Sequence, residues 1–134
     1  MDIKKTANLL INFTIKRLAE IFGIIIFSSG VLLLLALTSY SPEDPNFIFP
    51  SNTEIKNILG FQGSFVSDLF FQSLGLVSYM FSITLVITGI NIFRLKEFFL
   101  IIENIFFVII YTIFGTLFLS HFFPDAFTLY INGN

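Results

Sequence analysis

Three long apolar runs, separated by short charged or turn-forming segments, set the pattern of this chain. Residues 21–41 read IFGIIIFSSGVLLLLALTSYS, residues 69–93 hold no charged side chain between Asp68 and Arg94, and residues 98–124 are interrupted only by Glu103 and His121. A helix rises ~1.5 Å per residue, so about 20 apolar residues cross the hydrocarbon of a bilayer. The pattern predicts an all-α integral membrane fold with spanning helices at 21–40, 68–93 and 98–123. The first run follows basic residues, as a signal peptide would. It is longer than a ~7–15-residue signal core and no A-x-A site follows it, so it reads as a retained helix.

The remaining segments are read from their own periodicity. Within residues 1–20, Ile11, Ile15 and Leu18 share one helical face while Lys5, Asn8, Asn12 and Lys16 share another. This predicts an amphipathic juxtamembrane helix at the membrane surface. Residues 41–67 form a loop, 94–97 a charged turn and 124–134 a tail. In the loop, Ser41-Pro42-Glu43-Asp44 carries a helix-start signature, but Pro45 restricts Asp44 and limits the element to a turn. Thr53 as a cap, Glu54 in a first turn and Gly60 as a C-terminal stop predict a short helix further along the loop.

Small residues then suggest which helix faces meet protein. Between membrane helices there is no hydrophobic drive, so close backbone approach through Gly, Ala, Ser and Thr marks packing seams. Gly23 and Gly30 lie seven apart in the first span. Gly75, Ser78, Ser82, Leu85 and Gly89 follow at spacings of three and four in the second, and Thr112, Thr116 and Ser120 form a stripe beside Gly115 in the third. Val86 falls outside the second stripe, so a large ring is expected to cost far less there than at Ser82.

Composition narrows the class. Of 134 residues, 55% are hydrophobic and 12% charged, against about 25% charged in soluble domains; mean hydropathy is +0.89. Cysteine is absent, which excludes disulfides, thiolate metal sites and a cysteine nucleophile. A net charge of −2 gives no footprint for nucleic acid. No glycine precedes a lysine, so no phosphate-binding Walker loop is present. No catalytic, cofactor-binding or metal-binding set is visible. Asp68, Gln72 and Gly75 share a face at the start of the second span, where a boundary acid reads as solvated or capping. Glu103 reads as a partner for Lys96 or Arg94, or as snorkelling, and His121 as an interfacial residue.

Lys4, Lys5, Lys16 and Arg17 precede the first span, and Arg94 and Lys96 lie between the second and third. The positive-inside rule assigns these six to the cytoplasm and puts the acidic 41–67 loop and the tail in the periplasm.

Two segments carry a family resemblance. Tyr40, Pro42, Asp44, Pro45 and Phe47 resemble the S-Y-x-P-x-D-P-S-F segment that follows the first membrane helix of FtsK/SpoIIIE-type DNA translocases, with Asn46 in place of the usual Ser. Asn57, Leu59, Gly60, Gly63, Asp68, Leu69, Gln72 and Gly75 resemble N-x-L-G-x-x-G-A-x-x-A-D-L-x-x-Q-x-x-G of the same family, with Ser64 and Ser67 replacing Ala. The resemblance implies a multi-pass domain of the bacterial inner membrane at the division septum. It would anchor a cytoplasmic hexameric ATPase, contact divisome membrane proteins and its own subunits, and make no nucleic-acid contact itself. The family has four spanning helices, so a fourth is expected beyond residue 134, with the Thr112–Thr116–Ser120 side as its seam. The competing readings are a small transporter or channel subunit and a free-standing membrane scaffold.

Overall fold

The computed structural model describes residues 3–45 and 54–124. Four helices follow in order: α1 (Ile3–Thr38), α2 (Gly60–Leu74), α3 (Val77–Leu95) and α4 (Phe99–Phe122). Three of them, α1, α3 and α4, are long and apolar enough to cross a membrane.

Two expected boundaries are corrected. The juxtamembrane helix expected over 1–20 is not a separate element. No glycine or proline interrupts residues 3–22, so the helix runs unbroken through 36 residues into the first span, a length of about 54 Å. Residues 3–18 are exposed on every side.

The helix expected over 68–93 is two helices. Gly75 adopts φ 57°, ψ −139°, a backbone conformation open to glycine and strained for other residues. Its N–H closes α2 on the Phe71 carbonyl at 2.9 Å, and the Ser78 hydroxyl takes the Phe70 carbonyl at 2.9 Å. The break therefore leaves few orphan groups. The helix α2 also starts earlier than expected, within the segment assigned to the loop. Gly60, with φ 68°, opens α2 instead of closing a short loop helix; residues 54–56 are irregular and 57–59 form a turn. Thr53, Asn46 and Phe47 lie outside the described residues, as does the tail after Pro124.

Helices α1 and α3 run antiparallel in close contact. A Cβ on Gly23 would sit 2.7 Å from the Phe93 nitrogen, one on Gly30 2.7 Å from the Val86 nitrogen, and one on Gly89 would fall on the Phe27 nitrogen. Only glycine fits such an approach. Ser78 and Ser82 are fully buried beside it. Val86 is thus part of the seam through its backbone and Cγ2, contrary to its expected place outside it. Leu33, Leu37 and Phe71 form the core, packed against Tyr40, Val66, Phe70, Tyr79, Phe81 and Leu85.

Helix α4 follows a left-handed turn at Lys96 (φ 58°) and packs on α3 with no fully buried residue. Two side-chain bonds hold it. Asn104 donates to the Thr88 hydroxyl at 2.9 Å, and Tyr111 donates to the Thr84 hydroxyl at 2.9 Å. The seam expected to stay open on α4 is partly covered. A Cβ on Gly115 would meet Val77 at 3.1 Å, and the Thr112 hydroxyl is buried without a hydrogen-bond partner, so this part of the side turns toward α3. Thr116 bonds to carbonyls of its own helix, and Ser120 is exposed.

Candidate functional site

The motif residues among the described ones converge at one end of the bundle, around the C-terminus of α1. A helix leaves its last four carbonyls without intrahelical partners. Here Leu35 accepts from the Ser39 N–H at 3.1 Å and its hydroxyl at 2.7 Å. Ala36 accepts from the Asn57 side-chain amide at 2.9 Å, and Leu37 accepts from the Tyr79 hydroxyl at 3.1 Å. Two residues distant in sequence thus finish the helix.

Asn57 is the hub. Its Oδ1 accepts the Leu59 N–H at 3.0 Å, and its own N–H donates to Asp44 Oδ2 at 2.8 Å. Asp44 Oδ1 takes the Lys56 N–H at 2.9 Å. Both side chains are buried, at 4% and 6% exposure. A buried carboxylate is tolerable when such donors satisfy it. Gly63 makes room, since a Cβ there would fall on Asn57 Oδ1. Ser64 donates to the Pro45 carbonyl at 3.0 Å and Ser67 to the Ser64 carbonyl at 3.1 Å. The two serines that depart from the family pattern therefore have partners of their own. Pro42 lies in the turn that the Asp44 N–H closes on the Ser41 carbonyl at 3.2 Å.

A second polar group ties α1 to α2. Tyr40 donates to Asp68 Oδ1 at 3.1 Å, Gln72 donates to Asp68 Oδ2 at 2.8 Å, and the Tyr40 ring packs on Phe71 at 4.7 Å. Outside the clasp, Lys56 pairs with Glu43 on the surface. The hydrogen bond from Lys56 holds the Glu43 carboxyl below its ordinary value, and the same bond raises Lys56 above its own.

At the other end, Glu20 carries two ion pairs, with Arg17 at 2.7 Å and with Lys96 at 2.6 Å. Lys96 is therefore joined to α1, and Glu103, expected to pair with Lys96 or Arg94 or to snorkel, is exposed. His121 is also exposed, edge-on to the Phe122 ring at 4.9 Å. The contributions of Tyr79, Ser39 and Glu20 were missed from the sequence. Tyr79 had one usable signal, a hydroxyl within an apolar run, which seeks a partner when buried.

The arrangement is structural: donors and acceptors of loop, α1, α2 and α3 bind one another and lock the loop to the helix ends. The family described as the 4TM region of DNA translocase FtsK/SpoIIIE matches residues 15–133. The chain belongs to this family. It is similar to the DNA translocase FtsK of Rhizobium meliloti (strain 1021), 28% identical over 78 residues, or 58% of this chain and 9% of that protein. The DNA translocase FtsK of Caulobacter vibrioides is 33% identical over 73 residues, 54% of this chain and 9% of the relative. That of Pseudomonas putida is 33% identical over 79 residues, 58% and 10% respectively. The chain thus matches about a tenth of the length of these relatives. No solved structure matches it. Within the FtsK 4TM region, the clasp accounts physically for Tyr40, Asp44, Asn57, Gly63, Asp68 and Gln72, while Gly23, Gly30 and Gly89 make the α1–α3 seam.

Proposed function

We propose that this chain is the membrane anchor and septum-targeting domain of an FtsK-like DNA translocase acting in cell division and chromosome segregation. The family match over residues 15–133 carries this reading. The domain sits in the inner membrane with α1's N-terminus and the α3–α4 turn in the cytoplasm and the clasp in the periplasm. Six of the seven basic residues lie in the first half of α1 or at the α3–α4 junction, which supports this orientation. Its partners are divisome membrane proteins and copies of itself, in line with a hexameric motor; the domain itself touches no DNA.

A fluorescent fusion of the full chain, imaged in dividing bacteria that carry an FtsK-type translocase, tests the targeting. The expected result is a midcell band at constricting septa. Uniform fluorescence around the cell envelope refutes septum targeting.

A further inference from the structure

Helix α2 is amphipathic in the reverse sense to a helix in water. Over its first two turns its inward face carries small and polar residues, with Gly63 buried, Ser64 at 1% exposure and Ser67 at 0%; one aromatic, Phe71 in the last turn, also points into the core. Its outward face carries Phe61, Phe65 and Leu69, spaced four apart and 47%, 38% and 52% exposed. In water the first turns of such a helix would hide their serines and display two rings and a leucine, against the hydrophobic effect. Gln72 and Ser73 also face outward, but both lie in the last turn, and Gln62 flanks the stripe in the first.

The placement of α2 gives the stripe its depth. Leu59, Gln62, Gly63 and Val66 line one cleft with Ser29, Leu32, Leu33 and Ala36 of α1. These α1 positions lie two to nine residues before its end at Thr38, or about 3–13 Å below that end. Interfacial helices sink ~5–10 Å into the headgroup–acyl boundary. Leu32 and Leu35 on the same stretch of α1 are 51% and 39% exposed and belong to an apolar span. A helix lying against that stretch shares its surroundings.

We infer that α2 is an interfacial membrane helix, with Phe61, Phe65 and Leu69 immersed in the acyl chains of the leaflet at the Tyr40 end. The helix enters at its deep, apolar end and rises to the polar turn at Asp68, Gln72 and Ser73. The α2 part of the segment between the first two spans is then seated in lipid and not in water. The inference rests on the membrane-anchor reading.

The chain has no tryptophan, so single-tryptophan variants of the full chain in bilayers report depth directly. Phe61→Trp, Phe65→Trp and Leu69→Trp are compared in plain and brominated phospholipid vesicles and with aqueous iodide. Glu54→Trp in the exposed loop is the aqueous reference, and Phe106→Trp on the exposed face of α4 is the lipid reference. The three stripe variants are expected to lose most of their emission to brominated lipid and little to iodide. Quenching by iodide overturns the inference and puts α2 in water. Quenching by neither overturns it in favour of a protein partner or a second copy of this chain. If Phe106→Trp is also untouched by brominated lipid, the anchor reading itself falls.

Discussion

Asn57 shows how much one side chain decides here. It completes α1 at Ala36, caps Leu59 and hangs from Asp44 in a buried setting. Asn57→Ala leaves the Ala36 carbonyl and the Leu59 N–H unpaired. Each buried unsatisfied group costs about 1–3 kcal/mol, so a clear drop in melting temperature is expected in detergent, with Gln62→Ala, an exposed neighbour, near wild type. The family resemblance flagged Asn57 and Asp44, but their roles were not legible. The partners lie 13 and 21 residues away, and periodicity says nothing about contacts across a loop. The Glu43–Lys56 pair permits a pH test. Glu43 is depressed, so its contribution is present above the ordinary carboxylate value of about 4.3 and fades as pH falls through its lowered value. Lys56 is raised, so its contribution is present below about 10.4 and fades as pH rises through its raised value. The difference in melting temperature between wild type and Lys56→Met should be flat between these limits and shrink outside them. The pair is exposed at 62% and 74%, so the difference should be small and fall with added salt.

The three spans were legible at the scale of elements because charge-free runs of their length have few alternatives. The break at Gly75 was not, since the apolar run continues through it and glycine is common in membrane helices. Its spacing in the small-residue stripe marks Gly75 as a packing residue, whereas its backbone conformation divides α2 from α3. Seam tests follow from the contacts. Ser82→Phe should strongly disrupt folding, because Ser82 is fully buried. Ile83→Phe or Ile87→Phe, at 47% and 52% exposure, should be tolerated. Val86→Phe is not a neutral control, because Val86 abuts Gly30. Gly89→Ala should cost about 1–3 kcal/mol through overpacking against the Phe27 backbone. Helix α4 depends on its two polar links. A double-mutant cycle of Thr88→Val with Asn104→Leu should give a coupling of about 0.6 kcal/mol, at most ~1.7, read from unfolding in detergent. A coupling near zero would mean the Asn104–Thr88 bond adds nothing to the docking of α4.

At the scale of the whole molecule, the two ends differ in chemistry. One end holds Arg17, Glu20 and Lys96 in an ionic bridge from α1 to the α3–α4 turn, and the other holds the polar clasp. The charge pattern in the sequence already grouped the basic residues, and the antiparallel α1–α3 pairing brings Gly23 beside Phe93 at that same end. The anchoring account requires the basic end in the cytoplasm, where a motor would use ATP and meet DNA, and the clasp end outside. Alkaline phosphatase fusions at Asn46 and at Glu97, each checked for expression, measure this directly. The account predicts an active enzyme at Asn46, exported, and an inactive one at Glu97, retained; activity at Glu97 with none at Asn46 would contradict it.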